Sequence, residues 1–314
     1  MPHSDLTIRP LADPGELALF QRLDYVLDDE IADDLAAGRR RPEWMWVATR
    51  GERLLARAAW WSSGTGEVPE SFDFFDVDDT LPPAEGVAIG AALVRAALRR
   101  LVPPGVTPPE YGRFIPVDWR EDPDAGQVVR TRTTALEQLG ARLVVERLRL
   151  EWLPGTPLAE PRNRLTFRPV DDREELIELM IPVLKDTLDF HSRNDLAELT
   201  PREVAVKHYD EELAGFTSPR EWWRVAENGD GDPVGFVVPA RNSYNPIIAY
   251  LGVLPAHRGH GYVDDILAEG TRILAGENVP RIRAATDVPN VPMANAFARN
   301  GYVNFARAIN YAFE

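Results

Sequence analysis

The sequence contains no cysteine, and this absence excludes several kinds of chemistry at once. A chain without thiols forms no disulfide, offers no thiolate nucleophile and cannot build a zinc site from cysteine ligands. Histidine is also scarce, with 5 residues in a chain of 314, and their spacings are not those of metal ligands. We therefore expect no metal in the functional site.

Basic residues and long hydrophobic runs are also in short supply. The chain has 35 Lys and Arg against 50 Asp and Glu, a net charge of −15, whereas a general nucleic-acid binder needs a basic surface. The longest run of small apolar residues, GVAIGAALVRAAL, contains Arg95 and is too short to cross a bilayer. The start, MPHSDLTIRPL, lacks the apolar segment of a secretory signal. We expect a cytoplasmic monomer or homodimer that binds neither nucleic acid nor membranes.

Three stretches recur in the same order, which predicts two copies of one domain. The alternative is that short strands of similar composition look alike by chance. The boundaries follow from the repeat and from the proline-rich segment 153–163, which we interpret as a linker between domains at 1–152 and 164–314. The recurring pairs are LTIRPL (6–11) with LTFRPV (165–170), EWMWVA (43–48) with EWWRVA (221–226), and LGARLVVERLRLEW (139–152) with NGYVNFARAINYAF (300–313).

The second half predicts the element order β–α–α–β–β–β–α–β–α–β–β. Helical spacing of apolar residues covers 171–190, with an interruption at Pro182. A second helix begins at a capping box formed by Thr200 and Glu203. The last segment is interpreted as two strands. In the first half, the proline-rich stretch 102–116 is predicted to be a long loop.

The stretch LPAHRGHGY (254–262) joins a predicted strand to a predicted helix. A helix N-terminus presents unpaired N–H groups and partial positive charge, and glycines ahead of it allow successive amides to converge on an anion such as a pyrophosphate. Arg258 adds a cation at the rim of this joint. A tight turn that binds no ligand is the alternative. The chain contains neither a Walker A loop nor a G-x-S-x-G elbow.

Residues 245–302 resemble the GNAT superfamily of acyl-CoA-dependent N-acetyltransferases. The family's phosphate loop, Arg/Gln-x-x-Gly-x-Gly/Ala after a strand that ends in Val, is matched in VLPAHRGHGYV by Val253, Arg258, Gly259 and Gly261. A second family motif is matched by Asn290, Phe297 and the pair Gly301-Tyr302. The resemblance covers about residues 164–314, and the doubled layout resembles tandem members of the family. It implies a mixed α/β fold in which two tandem domains each have a mostly antiparallel central sheet flanked by helices.

The resemblance also implies a role for each matched residue. The amides of 258–263 would hold the pyrophosphate of acetyl-CoA, and the edge of the preceding strand would pair with its pantetheine arm. The Val253 amide would stabilise charge on the thioester oxygen. The residues implied in binding acetyl-CoA are Leu251, Gly252, Val253, Arg258, Gly259, His260, Gly261, Tyr262, Val263, Asn290 and Phe297.

Three departures from the family pattern concern this site. Val263 stands where the loop usually has its last Gly or Ala, and Phe297 replaces the tyrosine that usually protonates the leaving group. The strand position where many members carry a glutamate base holds no carboxylate. The nearest polar candidates for catalysis are Tyr250, Asp287 and Tyr302, each of which has a structural role as its alternative.

Together these observations predict an acetyl-CoA-dependent N-acetyltransferase that acts on a primary amine, in a small molecule or a peptide, by direct attack in a ternary complex. The alternative is a CoA-binding or sensor module without catalytic activity. The first copy lacks the loop and has Glu85 near the corresponding joint, where a carboxylate would repel a pyrophosphate. We therefore expect the first copy to be degenerate.

Overall fold

The computed structural model describes residues 5–63, 66–160 and 162–313. The chain forms two compact units. The first unit comprises the chain up to Glu146 together with the segment from Arg307 onward, and the second comprises Arg147–Ala306. Within the described residues, no helix is both long enough and apolar enough to span a membrane.

The first unit builds a sheet from strands in chain order, with helices between them. Its sheet runs β1-β2-β3-β4-β5, and every neighbouring pair is antiparallel except β4 and β5, which are parallel. The elements are β1 (Leu6–Pro10), α1 (Leu17–Phe20), α2 (Ile31–Ala36), β2 (Met45–Arg50), β3 (Arg53–Trp61), β4 (Ser71–Val77), α3 (Pro83–Leu101), β5 (Tyr111–Ile115), α4 (Pro123–Glu137) and β6 (Ala141–Trp152).

The second unit repeats this plan. Its sheet runs β7-β8-β9-β10-β11, again antiparallel except for the parallel pair of β10 and β11. The elements are β7 (Thr166–Pro169), α5 (Arg173–Val183), α6 (Phe190–Asp195), α7 (Pro201–Glu211), β8 (Arg224–Glu227), β9 (Pro233–Arg241), β10 (Pro246–Val253), α8 (Tyr262–Gly276), β11 (Ile282–Asp287), α9 (Val291–Arg299) and β12 (Val303–Phe313).

Local details of the two units also correspond, which confirms the predicted pair of similar mixed α/β folds. An ion pair links the first strand of each unit to the first helical turn that follows it. Arg9 pairs with Glu16 in the first unit, and Arg168 pairs with Glu175 in the second. The register of β4 is interrupted at Asp73, four residues before the strand ends at Val77. The register of β10 is interrupted at Ala249, four residues before the strand ends at Val253. Because the β-bulge occurs at the equivalent position in both copies, it is a feature of the shared fold and not an irregularity of one copy.

The strand that completes each sheet comes from the other half of the sequence. In the second unit, β11 pairs antiparallel with residues 147–152 of β6. In the first unit, β5 pairs antiparallel with residues 307–311 of β12. The boundaries of the compact units therefore differ from those of the predicted domains. The predicted domains stay a prediction that rests on the repeat in the sequence. Of the predicted linker 153–163, Pro161 lies outside the described residues.

Three sequence predictions about individual elements need correction. The last segment is a single strand, β12, because no turn interrupts it. The stretch 102–116 is not a loop throughout, since β5 occupies its end, beyond the last dense prolines. The predicted helix 171–190 is interrupted next to Pro182 as expected, but it does not continue to residue 190, because α5 ends at Val183 and α6 begins at Phe190. The predicted capping box of Thr200 and Glu203 is present at the start of α7.

Gly235 sets how closely β9 and β10 approach. It pairs with Val253, and a Cβ atom at this position would lie 2.3 Å from the carbonyl oxygen of Gly252. Because backbone cannot yield as a flexible side chain can, Gly235→Ala should lower the free energy of unfolding by about 3 kcal/mol or more. Urea denaturation measures this effect. Gly229→Ala, in the turn before β9 with open space around it, is the matched control and should change stability little; equal midpoints for the two variants would contradict the explanation.

Candidate active site

The strands β10 and β11 diverge and open a cleft in the second unit. They pair at Ile247 and Arg283, the one register pair that the described residues show between them. Beyond this point the cleft continues into a cavity of about 670 Å³. Eleven of the fourteen residues predicted to form the site line this cavity: Tyr250, Leu251, Gly252, Val253, Arg258, Gly259, Gly261, Tyr262, Val263, Asn290 and Phe297.

One wall of the cavity is the joint between β10 and α8. Gly259 and Gly261 both have positive φ, 81° and 71°, a conformation that glycine adopts without strain. In the part of the chain that the structure describes, no acceptor takes a hydrogen bond from the five successive amides of 259–263. Unpaired N–H groups at a helix N-terminus form a binding site for an anion. The geometry therefore fits the predicted phosphate loop.

Two carboxylates in the first turn of α8 would repel a bound anion if they were not paired with cations. Asp264 forms an ion pair with Arg299 at 2.8 Å, and Asp265 forms one with Arg164. The guanidinium of Arg164 also lies 4.9 Å from the ring centroid of Tyr262 and donates to the carbonyl of Gly261. These pairings offset the negative charge and hold the loop in place.

Arg258 has a task that its position in the sequence did not suggest. Its guanidinium donates to the carbonyls of Val183 and Lys185 at 2.8 Å each, and to that of Val253 at 3.3 Å. The first two carbonyls lie at the C-terminal end of α5, where intrahelical partners are lacking. Arg258 thus ties the loop to α5. Arg258 also lines the cavity, and its predicted role as a cation at the rim stays a prediction.

The edge of β10 that faces the cleft carries free backbone groups. Leu254 N donates to the carbonyl of Val234 on the neighbouring strand at 2.9 Å. Because N–H groups alternate along an antiparallel strand, the amide of Val253 is directed to the opposite edge, toward the cleft. Val183 packs against Gly252, and one of its methyl groups lies 2.8 Å from the position that a Cβ atom would occupy. A larger residue at 252 would therefore clash with Val183.

The three predicted catalytic residues have different surroundings. Tyr250 lines the cavity, and burial raises the pKa of its hydroxyl, with a further contribution from Asp189. Asp287 is buried outside the lining, and one of its oxygens accepts from the amide of Phe190 at 2.6 Å. Burial raises the pKa of Asp287 above its usual value. Tyr302 is buried in the core, and its hydroxyl is 2.8 Å from that of Thr271. Of the three, the structure brings only Tyr250 to the cavity.

Three residues of the predicted cofactor site differ in how they meet the cavity. His260 is not part of the lining, and its ring stacks on Tyr262 with centroids 5.9 Å apart. Asn290 lines the cavity and caps α9, since its side-chain oxygen accepts from the amide of Met293 at 3.4 Å. Phe297 also lines the cavity, and no proton can be donated from its ring.

The far end of the cavity contains polar residues that the sequence interpretation missed. Asp189 caps α6 by accepting from the amide of Ser192 at 2.8 Å. Burial works to raise the pKa of Asp189, but this hydrogen bond and the charge of Arg147 hold it below its usual value. His208 and Glu212, at the end of α7, also line this region. Only the helix cap at Asp189 left a signal in the sequence, and it indicated structure and not function.

In the first unit, side chains occupy the space between β4 and β5, whereas a cavity of about 220 Å³ remains at the joint between β4 and α3. Arg113, on β5, donates to the carbonyl of Phe75 at 3.0 Å and to the carboxylate of Asp76 at 2.8 Å. Arg132, on α4, donates to the carbonyl of Val77 at 3.1 Å. Two carbonyls of the β4 edge are thus already bonded, and the ion pair occupies the space between the strands. These contacts are consistent with the expectation that the first copy is degenerate, which stays a prediction.

Comparison with known proteins supports the same family. Residues 185–302 match the model of the acetyltransferase (GNAT) family. Mycothiol acetyltransferase of Frankia casuarinae is 25% identical over an alignment of 249 residues that covers 74% of this chain and 66% of the relative, so the match spans just under two thirds of that protein's length.

Solved structures show the same fold. A GCN5-related N-acetyltransferase from Sphaerobacter thermophilus superposes with a TM-score of 0.63 at 16% identity, covering 99% of this chain and 96% of that one. A tandem GNAT protein from the clavulanic acid biosynthesis pathway superposes with a TM-score of 0.51 at 15% identity, covering 98% of each chain. These likenesses confirm the predicted fold.

Proposed function

We propose that the second unit, in which residues 185–302 match the model of the acetyltransferase (GNAT) family, transfers an acetyl group from acetyl-CoA to a primary amine. The observation that carries the proposal is the continuity of two binding features within one cavity: the free amides of 259–263 and the open edge of β10. The first suits a pyrophosphate, and the second suits an extended chain of amides.

Each group of residues has a distinct task in this proposal. The amides of 259–263 bind the pyrophosphate of acetyl-CoA. The edge at Leu251 and Val253 pairs with the pantetheine arm as an added strand. The Val253 amide donates to the thioester oxygen and stabilises the negative charge that develops there. Because the chain has no cysteine, no thiolate is present to carry the acetyl group, and we propose direct attack by the amine in a ternary complex.

The charges at the far end of the cavity support a cationic acceptor. Asp186, Asp189 and Glu212 all line it. Two arginines also line the cavity: Arg147, which lies 3.0 Å from the carboxylate of Asp287, and Arg258, whose guanidinium binds the carbonyls at the end of α5. The remaining negative charge favours an ammonium group over an anionic substrate. The amine belongs to a small molecule or to a peptide.

A second candidate function is a CoA-binding or sensor module without catalysis. The observation that favours it is the lack of a proton donor at the family's usual position: Phe297 has no hydroxyl, and Tyr302 is buried away from the cavity. This candidate shares the acetyl-CoA site with the first one. The two therefore differ only in whether thiol is released.

We expect thiol release from acetyl-CoA to depend on an added amine, and initial-velocity plots at several fixed acetyl-CoA concentrations to intersect. The panel contains glucosamine, spermidine, lysine and a peptide with a free N-terminus. The unacetylated amine form of mycothiol is added because the similar Frankia protein is a mycothiol acetyltransferase. Parallel lines, with labelled acetyl retained on the denatured protein, would instead indicate a covalent intermediate. Binding of acetyl-CoA without thiol release in the presence of any of these amines would favour the sensor module.

A further inference from the structure

His208 occupies a position in the cavity that no other part of the proposed function uses. It lies in the last turn of α7 and lines the cavity next to Tyr250 of β10. The two rings are 4.7 Å apart between centroids, with an interplanar angle of 37°. The imidazole therefore lies beside the strand whose next residues, 251–253, form the open edge. Two acidic residues, Asp189 and Glu212, line the same cavity.

Glu212 is placed to orient this imidazole. Its carboxylate is one helical turn further on and lies 3.5 Å from Nε2 of His208. Nε2 is buried, and among the described residues it forms no hydrogen bond. A small rotation that lets Nε2–H donate to this carboxylate would leave the lone pair of Nδ1 available as a proton acceptor.

The other polar groups of the region are poorer proton acceptors. Burial raises the pKa of Tyr250, so its hydroxyl stays protonated, and it has no lone pair of comparable basicity. The pKa of Asp189 is held below its usual value, which makes it a weak base. Asp287 lies outside the cavity lining. His257 lines the cavity at the phosphate loop, with its ring 6.2 Å from that of Tyr262.

We propose that His208, oriented by Glu212, is the general base that removes a proton from the acceptor ammonium. This inference rests on the proposed acetyltransferase function. The ammonium gives one proton to the imidazole, and the neutral nitrogen then attacks the acetyl carbon. A C–N bond forms as the C–S bond breaks. The second proton of the nitrogen leaves with the thiolate as the free thiol, and the imidazolium returns its proton to solvent. Glu212 is a positioning residue, since it acts through His208.

The test uses the full chain, acetyl-CoA and the panel amine that reacts fastest with the wild type. His208→Ala should lower kcat by about a hundredfold or more, the usual range for loss of a general base, while acetyl-CoA binds with unchanged affinity by calorimetry. Added imidazole should restore part of kcat in His208→Ala in proportion to its concentration, and should leave the wild type unaffected. A residue that only supports the fold would not respond in this way.

Two further variants separate base catalysis from damage to α7. Glu212→Gln should lower kcat by about tenfold without rescue by imidazole, as expected for loss of a group that orients a histidine. Tyr209→Phe removes only a hydroxyl from the neighbouring position of the same helix and should behave as the wild type. If the wild type releases thiol with none of the amines, the proposed function itself fails. If it is active but His208→Ala keeps at least a third of kcat, or is inactive without rescue by imidazole, only the assignment of His208 is overturned.

Discussion

Gly261→Asp is expected to weaken acetyl-CoA binding by about 3 kcal/mol, roughly a hundredfold in Kd. The substitution places a carboxylate at the N-terminus of α8, beside the free amides that would hold a pyrophosphate. The space is open, since the closest neighbour of a Cβ here is Nη1 of Arg162 at 3.8 Å. Arg162 is half exposed and would offset little of the added charge. Like-charge repulsion therefore dominates the effect.

Gly261→Asn is the matched control for this experiment. Asparagine has the same shape as aspartate and tolerates the positive φ of 71° about equally well, so the pair differs mainly in charge. Calorimetry should give one acetyl-CoA site per chain for the wild type, since Arg113 and Asp76 occupy the space between β4 and β5 of the first unit. Equal affinities for the Asp and Asn variants would refute the phosphate loop. Two equivalent sites would refute the degenerate first copy.

The second large effect is expected from removal of the first 163 residues. The fragment 164–314 lacks the part of β6 that pairs with β11 from Trp152 to Arg147. Leu150 and Trp152 are buried in the core of the second unit, and Arg147 pairs with Asp287. Losing two large buried side chains costs several kcal/mol, about as much as the whole stability of a typical domain. We expect the fragment to be largely unfolded or aggregated.

The fragment 141–314 is the matched control because it retains β6. Both fragments end at the same residue and both leave the end of β12 without its partner β5, so that defect is common to them. Near-ultraviolet circular dichroism and urea denaturation should show cooperative unfolding for 141–314 and none for 164–314. A cooperative transition of equal midpoint in both would show that the exchanged strand contributes little to stability.

Much of the fold could be predicted because its signals are local. The three recurring stretches fall on equivalent strands, at β1 and β7, β2 and β8, and β6 and β12. The capping box at Thr200 and the glycines of the phosphate loop also lie where the sequence predicted them. Each signal depends on residues a few positions apart, which share backbone conformation whatever the rest of the chain does.

The candidate site was predictable only in part, for the same reason. The loop and the strand before it are contiguous in sequence, and their residues line the cavity. His208 and Glu212 are separated from Tyr250 by two strands, and no pattern in the chain relates them. The sequence likewise indicated Tyr302 as a polar candidate next to a family motif, whereas packing places its hydroxyl against Thr271 in the core.

By itself the sequence determined the duplication, the acidic character, the match of residues 185–302 to the GNAT family model and the chemistry that the absence of cysteine excludes. Only the tertiary structure decided which strand completes each sheet, that Arg258 binds the end of α5, and that Arg113 and Asp76 occupy the space between β4 and β5. The physical reason is the range of the interactions involved. Composition and local spacing govern solubility, turns and caps, whereas strand partners and buried ion pairs are selected among residues far apart in the chain, where only packing of the whole unit brings them together.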